Sequence, residues 1–143
     1  MPRASGLRRS LAESRETVSR LSETLAIQNS ARHVIVQAVD PGRLMQDICQ
    51  LLVGARHYEF AWIGIKREGD KVVFPTAQAG AASGYLDAVK VTWDDTPTGR
   101  GPVGTAIREN RAAVVDDTRT DPQFELWRSG AVARGVWSLV GLP

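Results

Sequence analysis

The sequence holds one cysteine, Cys49, in 143 residues. No intramolecular disulfide can form, and no cysteine-based zinc site can be built. Such sparing use of cysteine fits a reducing compartment, so a cytoplasmic location is expected. Histidine is almost as scarce. His33 and His57 stand alone, without a His or Cys neighbour at ligand spacing. Long apolar runs are missing too. Nothing approaches the length of a membrane span, and the N-terminus lacks the apolar core of a signal peptide. No stretch of Lys and Arg reaches the density that marks a lipid- or nucleic-acid-binding tract. Metals, membranes and nucleic acids are therefore not expected partners. Catalytic signatures are also absent: there is no nucleophile elbow, no Walker loop and no HExxH.

What remains is an ordinary globular composition, with 43% hydrophobic residues and 24% charged. The net charge of +2 is unevenly placed. Residues 1–39 carry six Arg and three Glu, and residues 40–143 carry 12 basic and 13 acidic side chains. This division matches a change of pattern. From Leu7 to Val39 no Gly or Pro interrupts the chain. Leu11, Ser14, Val18, Leu21, Leu25, Gln28, Arg32 and Ile35 alternate spacings of three and four, a heptad seam. Glu13, Arg15, Glu16, Arg20 and Glu23 occupy its flanks. A helix this polar is marginal alone in water. It either pairs with a second copy, through Leu11, Val18, Leu21 and Leu25, or folds onto its own domain. The paired form is the expectation, with residues 1–39 as a coiled-coil arm and 40–143 as the domain proper.

Asp40-Pro41 is an N-cap followed by a first-turn proline. Leu44, Ile48, Leu51 and Leu52 then form one apolar stripe, and Gly54 ends the helix. Tyr58–Lys66 is aromatic and β-branched, and Arg67-Glu68-Gly69-Asp70 is a turn. Lys71–Ala79 returns as the second strand of a hairpin, with Pro75 predicting an edge or a bulge. Gly80–Gly84 reads as linker, Tyr85–Val89 as a helical turn and Val89–Trp93 as extended. Asp94–Thr98 is turn chemistry. Gly99–Asn110 is a glycine-rich loop running into a helix, with Pro102 at its first position and Asn110 at its stop. Ala112–Val115 is a short strand. A helix begins at Thr120-Asp121-Pro122, broken or bent at Ser129-Gly130 and ended at Arg134-Gly135. Val136–Leu142 is the last strand.

Gly99-Arg100-Gly101-Pro102-Val103-Gly104 matches G-x-G-x-x-G literally. It comes after a turn rather than a strand, and the hairpin argues for antiparallel pairing, so a dinucleotide site is not expected. Arg100 either adds to an anion site at the helix start or pins the loop to Asp94 or Asp95. The carboxylate pairs Asp94-Asp95 and Asp116-Asp117 lie at element ends, where Asp caps backbone N–H groups. Trp62, Trp93, Trp127 and Trp137, with Phe124 and Tyr85, could line a ligand pocket or fill a core.

The pattern as a whole resembles a GAF domain. Asp40-Pro41, Leu44, Ile48-Cys49 and Leu51-Leu52-Val53, then Phe60-Ala61-Trp62-Ile63-Gly64, are similar to its beginning. Val91-Thr92-Trp93-Asp94-Asp95 and Gly99–Arg108 look like its central signature. Val114–Asp117, Asp121–Trp127 and Ser138–Pro143 resemble the part of the family pattern after that signature. The resemblance implies an α+β fold, an antiparallel sheet with flanking helices and a small-molecule pocket, preceded here by the long helix. It implies a non-catalytic sensory module of a bacterial signalling protein, a homodimer whose output domain is elsewhere. Its pocket residues would be Trp62, Trp93, Arg100, Thr105, Asp117, Phe124, Trp127 and Trp137. The ligand or cofactor is left unknown. A purely structural dimerisation module with a filled core is the alternative. The resemblance further implies more strands beyond Pro143, which would place Val136–Leu142 in the middle of the sheet.

Overall fold

The structure, a computed structural model, describes residues 3–55, 58–81 and 84–143. His57 and part of the 80–84 linker lie outside the described residues. Helix α1 (Arg3–Gln37) runs for 35 residues, about 52 Å at 1.5 Å per residue. Arg9 Nε meets Glu13 Oε1 at 3.1 Å, one helical turn away. Leu11, Val18, Leu21 and Leu25 are between 55% and 62% exposed. Ile27, Ala31 and Val34 are the half-buried side chains of residues 6–37. They lie roughly opposite the leucine stripe at 100° per residue, toward the end that packs on helix α2 (Pro41–Gly54). The arm thus has two apolar faces, one docked and one open. Gln28, Arg32 and Ile35, members of the heptad seam, are exposed.

Helix α2 starts as its sequence dictates. Asp40 is the N-cap, its Oδ2 accepting the Arg43 N–H at 2.8 Å, and Pro41 opens the helix. Cys49 is fully buried on the inner face. Burial pushes its thiol pKa up, against a hydrogen bond with the Ile63 backbone. Gln46 Nε2 donates to Gln78 O at 2.8 Å and ties α2 to the sheet beneath.

That sheet is the hairpin of β1 (Phe60–Lys66) and β2 (Val73–Gly80). Its register passes from Ile63↔Ala77 to Gly64↔Pro75, leaving Thr76 as the extra residue of a bulge. Pro75 sits where the ladder is already interrupted. Gly69, with φ of +77°, closes the turn. Beyond it, Val73 N–H donates to Val91 O and Trp93 N–H to Lys71 O, each at 2.9 Å. The extended 89–93 segment is thereby held beside the hairpin.

Helix α3 (Pro102–Glu109) is closed by Asn110 in the left-handed region, with φ of +48°. Strands β3 (Ala113–Val115) and β4 (Leu139–Gly141) pair antiparallel, Val114 opposite Val140. Helix α4 (Glu125–Val132) lies between them in sequence. Val115, Phe124, Trp127 and Ala131 form a core, flanked by Tyr85, Val89, Val136 and Leu139.

Two expectations are corrected here. Ser129-Gly130 does not interrupt α4. Gly130 is needed for close approach, since a Cβ there would lie 2.9 Å from Cε2 of Tyr85. The last strand starts at Leu139 rather than Val136, runs three residues to Gly141, and pairs with β3. Val136 and Trp137 are drawn off by other bonds. Gly135 N–H donates to Val132 O at 3.1 Å and Val136 N–H to Ala131 O at 3.0 Å, the Schellman pattern around a left-handed glycine. Thr118 then bonds the next carbonyls, Oγ1 to Val136 O and N–H to Trp137 O. The fold is α+β, with a long N-terminal helix and, among the described residues, two short antiparallel sheets.

Candidate functional site

The loop that feeds α3 is built around Asp94. Its Oδ1 accepts the hydroxyls of Thr96 at 2.6 Å and Thr92 at 2.7 Å, and Thr98 lies 3.0 Å from the Thr92 hydroxyl. The Thr96 bond first, then the Thr92 bond, holds the Asp94 carboxyl below its usual pKa. Arg108, in the last turn of α3, closes the loop from the other side. Its guanidinium donates to Asp94 O at 2.8 Å and also to Gly99 O and Trp93 O. The glycines serve this packing. A Cβ at Gly99 would lie 2.0 Å from Asp94 O, and one at Gly101 would lie 2.5 Å from the Trp127 ring. The literal G-x-G-x-x-G is thus a close-packed joint between loop, helix and core.

Arg100 is exposed, and its Nε donates to Asp95 Oδ1 at 2.9 Å. Of the two roles open to Arg100, the loop pin is present. This hydrogen bond depresses the Asp95 pKa. Arg100→Ala is expected to leave the circular dichroism spectrum unchanged, since the pair is solvent-facing and such pairs add little stability. An unfolded variant would make Arg100 structural. Thr105 sits between Arg100 and Arg108, donating to Arg100 O at 3.3 Å and accepting from Arg108 Nη2 at 3.4 Å.

Asp117 is clamped by its near neighbour. Arg119 donates Nε and Nη2 to the two carboxylate oxygens at 2.9 and 2.8 Å, and its backbone N–H adds a third bond. The side-chain bond first, then the backbone bond, lowers the Asp117 pKa to about 2. The Arg119 guanidinium also lies 5.3 Å from the Trp137 ring, which is half exposed. A lowered carboxylate pKa favours the fold above the ordinary value of 3.8, and the contribution is lost as pH falls toward 2. Arg119→Ala leaves the backbone donor, so the Asp117 pKa should rise only part of the way to 3.8, measurable by carboxyl NMR titration. A value still near 2 would contradict the side-chain clamp.

The eight expected pocket residues fall into separate places. Phe124 and Trp127 are buried together, ring centroids 5.8 Å apart. Asp117 and Trp137 meet through Arg119. Arg100 and Thr105 share the α3 entrance. Trp62 is half-buried on β1, its ring so close to Gly64 that a Cβ there would lie 2.6 Å from it. Trp93 lies apart from the aromatic core, beneath Lys66 and Lys71. Tyr85, outside the expected set, joins the core, and its burial pushes the phenol pKa up to about 12. Thr92 and Arg108 lie within the stretches that resemble the family's central signature, but no motif announces their role in closing the loop around Asp94. The one available hint is the spacing of Arg108 one turn after Gly104.

The same segments, from α2 through the glycine loop to β4, carry the likeness to known proteins. The family model for the GAF domain matches residues 38–143. The chain belongs to the GAF domain family. A solved structure, the A. aeolicus nlh2 GAF domain in an inactive state, is similar in fold, with a TM-score of 0.56 at 16% identity. The match covers 73% of this chain and 59% of that one. No curated protein matches this sequence. GAF domains are generally regulatory, and the family makes this chain a sensory or regulatory module. No helix among the described residues is long and apolar enough to cross a membrane.

Proposed function

We propose that this chain is a non-catalytic sensory module of a bacterial signal-transduction protein, working in the cytoplasm as a homodimer. The observation that carries the reading is the pair of apolar faces on α1. Helix α1 contacts α2, its half-buried Ile27, Ala31 and Val34 lying toward that end, and α2 contacts the β1–β2 hairpin. The open stripe of Leu11, Val18, Leu21 and Leu25 is left for a second copy. A change in the domain can then reach the pairing helix through direct packing. In a parallel pair, the flanking heptad positions bring Ser10 to Arg15, Thr17 to Ser22 and Thr24 to Asn29, with no like charges opposed.

The trigger in this reading is a small ligand with unequal affinity for two packings of the domain. Asp117 with Trp137, the α3 entrance at Arg100 and Thr105, or Trp62 offers it polar and aromatic contacts, each at its own place. A ligand reaching Phe124 and Trp127 would have to enter the core they now fill. The output domain is a separate module. Native mass spectrometry of protein purified from its source tests both parts together. The expected result is a dimer that carries a small molecule. A ligand-free monomer would overturn the reading.

One observation favours the second reading, a structural dimerisation module. Phe124 and Trp127 already pack against Val115, Ala131, Tyr85, Val89, Val136 and Leu139. A core filled by its own side chains needs no ligand to be stable. Native mass spectrometry showing a ligand-free dimer is its signature.

A further inference from the structure

The tip of the β1–β2 hairpin carries a cleft of about 370 Å³, walled by residues 66–71 and Trp93. Three cations converge on it. Lys71 Nζ lies 3.6 Å and Lys66 Nζ 5.4 Å from the centre of the Trp93 ring, and the Arg67 guanidinium lies 4.1 Å from that of Phe74. Among the described residues none of the three makes an ion pair or a side-chain hydrogen bond. Glu68 and Asp70 line the same cleft, so three cations face two carboxylates and its net charge is +1. Asp70 is turned to the backbone, its Oδ1 accepting the Val72 N–H at 2.9 Å, and Glu68 is exposed. Among the described residues, the buried Trp93 indole N–H also finds no acceptor.

Two ammonium groups drawn to one indole ring repel each other, and the ring quadrupole offsets only part of that. An anion bound between them offsets more. We propose that this cleft is a ligand site separate from the α3 and α4 region, and that it takes a phosphate-bearing anion held by Lys66 and Lys71 against Trp93. Phosphate suits the donor set. Each ammonium offers three rotatable N–H donors to a tetrahedral group with oxygens on every side, whereas a planar carboxylate is matched best by an arginine fork. Arg67, the one guanidinium present, is stacked on Phe74. The cleft volume falls in the range of small-ligand sites, so inorganic polyphosphate and the phosphate end of a nucleotide are both accommodated. The site does not depend on the sensory reading above.

The test is a titration of the intact chain with pyrophosphate, and separately with ATP, at low and constant ionic strength. The four tryptophan indole N–H signals are followed by NMR. The signal that Trp93→Phe removes identifies Trp93. That signal should move saturably with pyrophosphate while the Trp127 signal stays. Lys71→Ala and Lys66→Ala should each weaken binding about tenfold, as expected for loss of one charge-assisted bond to the anion. Both side chains are exposed, so the remaining indole signals report that the variants are folded. Tighter binding of ATP than of pyrophosphate would identify a nucleotide as the source, and equal binding a free polyphosphate. No movement of the Trp93 signal, equal movement with citrate, or affinity unchanged in both lysine variants would each overturn the proposal.

Discussion

Gly104→Ala should cost about 3 kcal/mol or more, a large share of the stability of a domain this size. A Cβ at this position would sit 2.0 Å from Gly99 O and 2.5 Å from Thr92 O. Both are backbone atoms, so no side chain can swing away. The two carbonyls belong to the loop closed by Arg108 and the threonines around Asp94, which resists local relief. The effect is steric and not conformational, because Gly104 has no positive φ. Gly54 supplies the opposite sign. It ends α2, and a Cβ added there would meet nothing within 4 Å. Gly54→Ala should therefore stabilise by about 0.5 kcal/mol through helix propensity and a less flexible unfolded chain. Chemical denaturation of both variants beside the parent checks the pair. Equal stabilities would contradict the close-packed joint.

The second large effect is on assembly. Leu21→Ala with Leu25→Ala should convert a dimer to a monomer. Both leucines are more than half exposed in the single chain, so the monomer loses little. Across a paired interface four leucines are truncated at once. At about 1 kcal/mol or more for each, the loss approaches 4 kcal/mol, close to a thousandfold in Kd. Sedimentation equilibrium across a concentration series reads this directly. The circular dichroism of residues 40–143 should survive, since the docked face of α1 uses Ile27, Ala31 and Val34 instead.

Local chemistry explains which parts of this molecule are legible in its sequence. Asp40-Pro41, Pro102 and Asn110 set helix ends through their own caps, φ values and missing donors, and all three do so here. Pro75 announces a bulge because it cannot serve the ladder. The failures share a cause in distant partners. Gly130 carries a helix penalty that is outweighed by the Tyr85 ring lying against it. Val136-Trp137 has strand propensity, yet the cap of α4 and Thr118 take its backbone. The candidate site is legible as a set of residue types and not as an arrangement. Trp93 and Trp127 look alike in sequence, but one is roofed by lysines and the other lies against Gly101, the N-cap of α3. The arm shows its open seam plainly. Its docked face, with only Ile27, Ala31 and Val34, is too short to stand out as a period.

The central claim is that α1 pairs in parallel with its copy along the open stripe, and Leu11→Cys tests it most directly. Leu11 lies far from the middle of the stripe, so its two copies adjoin only in a parallel, in-register pair. The native Cys49 is fully buried and will not compete. Mild oxidation should give a covalent dimer of twice the 15.6 kDa chain mass, visible without reductant. Glu16→Cys, on the outer face of the same helix, should remain uncrosslinked. A Leu11→Cys chain that stays at 15.6 kDa, or crosslinks no better than Glu16→Cys, would contradict the account.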